Sequence, residues 1–331
     1  MATSCWADGF CVQQLASSAA YALVLPYYVV FLVALWRGRR VDDRLRGSFF
    51  SICLSVGLVD LEAALQQWTI SRPRILGLAF RAYAKLDPFV AKLNHTLALQ
   101  LIATQTIGVA MLSLNRFTAI VLPTRHQKLW SAGALRLLFT LQWAAPVLTC
   151  VVAYWPVCDV TFERLDANST SVSIVFKDPY APYYFLSMTI LTVVTSVMMG
   201  ALYCGMAAQF VLMRLRKLHS QSVEGKLALC GLFIFIQTAA MSYALAVLMM
   251  TRSPSNAFGG VVSLYYATMD MNCLLNPLVI TAFSRPVRQQ LRRLCCANNK
   301  VGAAAANALF VTPNSRRAAD AATGPTAART K

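Results

Sequence analysis

Seven apolar stretches, each long enough to cross a bilayer, constrain this chain more than any other feature. A hydrocarbon core about 30 Å thick calls for about 20 apolar residues in a helix, and the stretches fall at about 15–36, 48–68, 95–121, 132–155, 182–213, 226–250 and 259–283. The expectation is an all-α membrane protein, a seven-transmembrane helix bundle with its termini on opposite sides. Composition agrees: 57% of residues are hydrophobic, 13% are charged and the mean hydropathy is +0.54, where a soluble domain carries about 25% charged residues. Loops this short leave no room for a soluble catalytic domain, so function is expected inside the bundle and at its inner face.

A net charge of +17 would point a soluble chain towards nucleic acid. Here it reads as topology, because cytoplasmic loops collect Lys and Arg, and no nucleic-acid partner is expected. Arg37, Arg39, Arg40, Arg44 and Arg46 follow helix one, and Arg116, Arg125, Lys128 and Arg136 surround the end of helix three. Arg214, Arg216, Lys217 and Lys226 separate helices five and six, and Arg285, Arg288, Arg292 and Arg293 open the tail. These share one side, cytoplasmic by the positive-inside rule, and an N-terminus without Lys or Arg lies outside. Arg72, Arg74, Arg81, Lys85 and Lys92 dissent, since they fall in an outer loop; with Ile75, Leu76, Leu78, Phe80 and Phe89 that loop is expected to lie along the membrane surface.

Four regions follow: an extracellular N-terminus at 1–14, the bundle at 15–283, a short amphipathic helix with a cysteine pair at 284–296, and a disordered cytoplasmic tail at 297–331, rich in Ala, Thr and Pro. No basic region precedes the first apolar run, which is too long for a signal-peptide core, so helix one is expected to direct insertion.

Two sequons, Asn94-His95-Thr96 and Asn168-Ser169-Thr170, fall in outer loops. Asn168, in mid-loop, is the expected glycosylation acceptor, Asn94 abuts helix three and is expected to be blocked, and such triplets also arise by chance. Cys5, Cys11 and Cys158 lie outside, so at most one pair forms among them, and a Cys11–Cys158 disulfide would tie the N-terminus to the second outer loop. Cys295 and Cys296 follow a basic amphipathic stretch, where palmitoylation would add membrane lipid as a partner. No Cys/His spacing suggests a metal, and no catalytic triad or Gly-rich phosphate loop is present, so neither an enzyme nor a cofactor is expected.

Ionisable groups within a span are expensive and are functional candidates by default. Helix two carries Asp60 and Glu62, and helix seven carries Asp270, Asn272 and Asn276-Pro277. Pro277 removes a backbone hydrogen bond and kinks its helix. Asn276 can bond the carbonyls so released, or Asp60 across the bundle. A weakened polar helix of this kind can hold two arrangements, as a switch requires, or be a static kink. Asp60, Asp270, Asn272 and Asn276 are the expected polar core, in which a lone carboxylate must be paired, hydrated or protonated. Arg116, in Asn115-Arg116-Phe117, sits at the inner mouth, where an arginine either contacts a partner or merely snorkels to the interface.

These residues carry a resemblance. Asn272-Cys-Leu-Leu-Asn276-Pro277-Leu-Val-Ile280 followed by Ala282-Phe283 resembles helices seven and eight of rhodopsin-like G-protein-coupled receptors. Asp60 is similar to that family's helix-two aspartate, Asn115-Arg116-Phe117 to its Asp-Arg-Tyr triplet and Trp143 to its helix-four tryptophan. A closer resemblance is to nematode serpentine receptors of class gamma, a chemoreceptor family. It rests on Ser113-Leu-Asn115-Arg116-Phe117-Thr-Ala-Ile120 with Pro123, His126, Lys128 and Trp130, and on Ser48-Phe49-Phe50, Trp68 and Arg72-Pro73. The chain departs from the rhodopsin-like pattern in having no Cys at the outer end of helix three, Ile280 for Tyr, and Phe233-Ile-Phe235-Ile-Gln237 in place of the helix-six toggle.

The resemblance implies a plasma-membrane chemosensory receptor that detects a small molecule, a pheromone or odorant, and signals to a heterotrimeric G protein through Asn115, Arg116 and Phe117. Expected pocket residues are Gln66, Gln67, Trp68, Gln100, Thr104, Tyr183, Tyr184, Tyr243, Tyr265 and Tyr266, aromatic surface with a few polar anchors. Each also fits helix packing or an interfacial aromatic belt, and for Tyr183 and Tyr184 the belt is the reading taken. The rival is a ligand-gated cation channel or secondary transporter, with Asp60, Glu62 and Asp270 lining a path; no inverted repeat supports it.

Overall fold

In the computed structural model, residues 9–78, 82, 83, 85, 88–164, 172–177, 181–215, 222–250 and 257–294 are described. The backbone is almost entirely helical. Six helices among these residues are long and apolar enough to cross a membrane. They are α1 (Gly9–Val41), α2 (Ser48–Gln66, continued by Gln67–Ser71 and Arg72–Ile75), α3 (Phe89–Val121), α4 (Ala132–Leu148, continued by Thr149–Tyr154), α5 (Ala181–Leu215) and α6 (Ser222–Met250). A further helix, α7 (Ala257–Phe283), packs on α1, α2 and α6 and completes the serpentine bundle. Short helices Pro123–Leu129 and 285–294 follow α3 and α7.

The surface is apolar and the interior polar, the inverse of a soluble core. Leu23, Leu137 and Val197 are 78%, 61% and 69% exposed, while Asp60, Thr104, Asn115 and Gln142 are fully buried. Lipid solvates the apolar residues, so polar groups gather where helices can bond to one another. α3 is central: it touches α2, α4, α5 and α6, and 72% of its span is buried against 17% of α4. Gly108 permits this approach, since a Cβ there would fall 2.4 Å from Gln142 Nε2 and 2.7 Å from Val56 Cγ2.

The expected all-α bundle stands, with one small addition: β1 (Val160–Arg164) and β2 (Val172–Phe176) form an antiparallel hairpin between α4 and α5, with Val160 opposite Phe176 and Arg164 opposite Val172. The runs Val-Thr-Phe-Glu-Arg and Val-Ser-Ile-Val-Phe carry the β-branched and aromatic residues that strands favour. The hairpin packs on α3 and on Arg72–Ile75 at the expected outer end, where Phe162 meets Tyr83 ring to ring.

One expectation is corrected: helix two does not end near 68. It passes through a π turn, Gln67–Ser71, and continues to Ile75. Pro73 lacks an N–H and would crowd the carbonyl four residues back in a regular α-helix. The wider turn accommodates it, with Arg72 N–H bonding to Gln67 O instead. Gly77, at φ 70°, then stops the helix, and Leu78 N–H reaches Pro73 O at 2.9 Å. Arg72 and Arg74, expected along the membrane surface, are buried.

Close helix approach at Gly108 makes a prediction. Gly108→Val is expected to destabilise the purified protein by about 1–3 kcal/mol through overpacking against Gln142 and Val56. Gly133→Ala, where a Cβ meets nothing within 4 Å, should leave the thermal unfolding midpoint unchanged or slightly raised.

Candidate functional site

Three polar layers run down the bundle, called outer, middle and inner after the orientation expected from the charge distribution. The middle one is built on Asp60 of α2, which is fully buried. Its Oδ2 accepts from Tyr28 Oη of α1 at 2.8 Å and Asn276 Nδ2 of α7 at 2.6 Å, and its Oδ1 from Gln105 Nε2 of α3 at 2.5 Å. Beside these groups lies a cavity of about 10 Å³, lined by Tyr28, Gly57, Asp60, Leu112, Asn276 and Ile280 among others. That is the room of about one water molecule. A second network reaches α4: Gln142 Oε1 accepts from Ser55 Oγ at 2.8 Å, and Trp143 Nε1 donates to the same Ser55 Oγ at 3.1 Å.

In the outer layer Asp270 of α7 is not part of the Asp60 cluster. Arg72 Nη2 forms a buried ion pair with both oxygens of Asp270, and Tyr21 Oη of α1 donates to Asp270 Oδ1 at 2.8 Å. The rings of Tyr21 and Tyr266 face the guanidinium at 5.8 and 5.7 Å. Side chains lean towards the N-terminus of their helix, which is inner for α2 and outer for α7, so Arg72 reaches down and Asp270 reaches up. Asn272, expected in the polar core, instead donates to Met241 Sδ at 3.2 Å. Pro277 lies inside α7, one residue beyond Asn276.

In the inner layer Arg116 is 4% exposed and lies over the ring of Phe49, 4.1 Å from its centroid. It does not snorkel. Its Nη2 donates to Asn115 Oδ1 at 2.7 Å, and Asn115 Nδ2 donates to Ser48 Oγ at 2.8 Å at the start of α2. Phe117 packs against a separate cluster of Ile120, Tyr203, Met206 and Ala228, close to Gly205 of α5. His126 and Trp130 both bond to Thr118 Oγ1, at 3.1 and 2.8 Å, so the residues after the Asn-Arg-Phe triplet share one contact.

The expected ligand-pocket residues do not converge. Gln66 is buried and donates to Asn94 Oδ1 at 2.6 Å, which also places that sequon asparagine inside the bundle. Gln100 and Thr104 bond to each other along α3, and Thr104 O accepts from Gln142. Tyr243 is 66% exposed on the lipid-facing side, and Trp68 and Tyr183 are also exposed. Tyr184, expected in an aromatic belt, is buried against Tyr154 with ring centroids 5.0 Å apart. Tyr265 meets Tyr266 edge to face, and Tyr266 in turn faces Arg72 of the outer ion pair. Gln67 points to Met269, beside Asp270. Asn168, Cys295, Cys296 and the side chain of Cys11 lie outside the described residues; Cys158 is buried beneath the hairpin.

Sequence reasoning missed Arg72, Tyr21, Tyr28 and Gln105. A signal existed for Arg72, because a mid-span aspartate needs a cation or donors within reach.

A seven-helix bundle with buried polar layers and a helix-three Asn-Arg-Phe motif is the setting for the comparison with known proteins. The profile of the family described as serpentine type 7TM GPCR chemoreceptor Srv matches residues 18–296. The chain belongs to this family. It is also 22% identical over 287 residues to a Caenorhabditis elegans protein named serpentine receptor class V-1, covering 84% of this chain and 88% of the relative. The chain is therefore a multi-pass membrane protein and a chemosensory G-protein-coupled receptor, of a receptor family rather than an enzyme family. The serpentine expectation stands, and the class that matches is V rather than gamma. The rival channel or transporter reading is not favoured.

Removing Asp270 alone strands a buried guanidinium. Asp270→Ala is expected to cost about 3–5 kcal/mol, read as a large loss of surface staining on expressing cells. Arg72→Gln combined with Asp270→Asn, neutral and close in shape, should restore staining.

Proposed function

We propose that this Srv receptor sits in the plasma membrane of a sensory cell with its N-terminus outside. Its ligand is a small external molecule, a pheromone or odorant, and Asn115, Arg116 and Phe117 form its contact with a heterotrimeric G protein. Glycosylation at Asn168, a Cys11–Cys158 disulfide and palmitoylation at Cys295 and Cys296 accord with that orientation. One observation carries the reading: Arg116 is held inside the inner mouth, over Phe49 and against Asn115, when an idle arginine would extend to the interface. Its neighbours belong to both α2 and α3, so a relative shift of these helices releases it.

The test is expression with a promiscuous G protein and a screen of secreted small-molecule extracts. Arg116→Ala should abolish the response, with surface expression and ligand binding largely intact. Normal signalling by that variant would return Arg116 to a packing role.

The middle layer is the proposed coupling element, supported by its ties to α1, α2, α3 and α7. Asp60→Asn keeps the shape, and a flipped Gln105 amide can meet the new NH₂ group, so folding should survive. Because every one of these described contacts is a donor to the carboxylate, the substitution should rebalance them. Basal activity or agonist potency should shift, with surface expression near normal; unchanged values of both would remove Asp60 from the switch.

A further inference from the structure

We infer that the Arg72 guanidinium is the recognition point for an anionic group of the ligand, a carboxylate, which competes with Asp270 for it. This rests on the receptor reading above and adds the chemical class of what is detected.

The ion pair uses its arginine incompletely. Both oxygens of Asp270 meet the single nitrogen Nη2, while Arg72 Nε and Nη1 are buried with no hydrogen-bond partner among the described residues. A guanidinium presents a planar fork of donors that suits a carboxylate two bonds at a time. A structural ion pair at 1% exposure would be expected to fill that fork, because each unmet buried donor is costly. By contrast, both oxygens of Asp60 are occupied.

Further unmet groups lie on both sides of this cation, one inward along α2 and one outward on α1. Gln67, five residues before Arg72 across the π turn, has a buried Oε1 without a partner. On α1, Gln14 is fully buried with neither amide atom bonded. It lies seven residues before Tyr21, two turns outward on the same helix face. Near that level Gln13 Nε2 donates to Ser263 O of α7 at 2.9 Å, so α1 and α7 meet there. Unmet donors and acceptors thus run from the outer lip down to a cation walled by Tyr21 and Tyr266. Buried polar groups left unpaired in this way call for an occupant, and a charged carboxylate with an apolar or aromatic body matches the cation and its walls.

The exchange also explains how binding reaches the rest of the molecule. A carboxylate on Arg72 frees Asp270, which keeps its bond from Tyr21. Asp270 stands about 9 Å along α7 from Asn276, and Asn276 holds Asp60. Loosening α7 at Asp270 is therefore felt in the middle layer.

The experiment measures thermal unfolding of the full-length receptor, purified in neutral detergent, with benzoate or octanoate and with their methyl esters. Chloride at equal ionic strength is the control. At about a hundredfold excess over Kd, at least one carboxylate should raise the unfolding midpoint by roughly 5 °C, and its ester should not. Arg72→Gln with Asp270→Asn should unfold near the wild-type midpoint and show no shift. Arg72→Lys, which keeps the charge but not the fork, should need at least about tenfold more carboxylate for the same shift. The inference is overturned if neither carboxylate exceeds its ester on the wild type, or if the double variant and Arg72→Lys respond as the wild type does. No signalling is read, so failure of G-protein coupling would leave this result standing, and loss of the shift would leave the coupling result standing.

Discussion

The carboxylate of Asp60 draws hydrogen bonds from α1, α3 and α7 while belonging to α2. In lipid there is no general hydrophobic drive between helices, since the tails are as apolar as the side chains. Association depends on packing and on polar groups that have nowhere else to go. A single acid satisfied by three neighbours therefore fixes the relative depth of four helices at once. The small cavity beside it leaves some freedom exactly where those helices converge, and a tightly tied junction with a void beside it is the kind of element that can settle in two ways.

Above and below that junction, other charged groups obey the same rule by other means. Arg72 finds a carboxylate, and Arg116 finds an aromatic face and an amide oxygen. Both are arginines that hydropathy alone would place at an interface. Each is drawn inward by a partner on another helix: Arg72, on the continuation of α2 beyond Gln67, by Asp270 of α7, and Arg116 of α3 by Phe49 near the inner end of α2. The C-terminal side of the bundle is closed differently. Arg288 Nη1 donates to Thr281 O at 3.0 Å and to Ala282 O, satisfying carbonyls that α7 leaves open at its end.

The bundle was legible in the sequence because lipid imposes length and apolarity on every span, and these survive any detail of packing. The Asp60–Asn276 contact was also within reach, since a neutral amide beside a proline and a mid-span acid leave few alternatives. Arg72 was not. An Arg-Pro pair after an apolar run looks like a helix end, and nothing local announces a π turn that carries the helix past the proline. Most of the expected pocket residues are dispersed for a related reason. Gln66, Gln100, Thr104 and Tyr243 all stand at plausible depths, but which face each presents depends on helix rotation, and polar side chains in a bundle are drawn first to one another. The hairpin was overlooked because its short strands lie between two long helical signals and were read as loop.

The π turn at Gln67–Ser71 has a consequence for how such a chain changes over generations. One residue in a regular helix is worth about 100° of rotation. Deleting one residue from this turn would swing everything beyond it by that amount, carrying Arg72 off the face that meets α7. Nothing below Gln66 would have to move, so Asp60 and its partners would keep their places. The outer end of α2 is thus a dial that a single insertion or deletion can turn, exchanging the group offered to the outside while the machinery beneath it stays as it is.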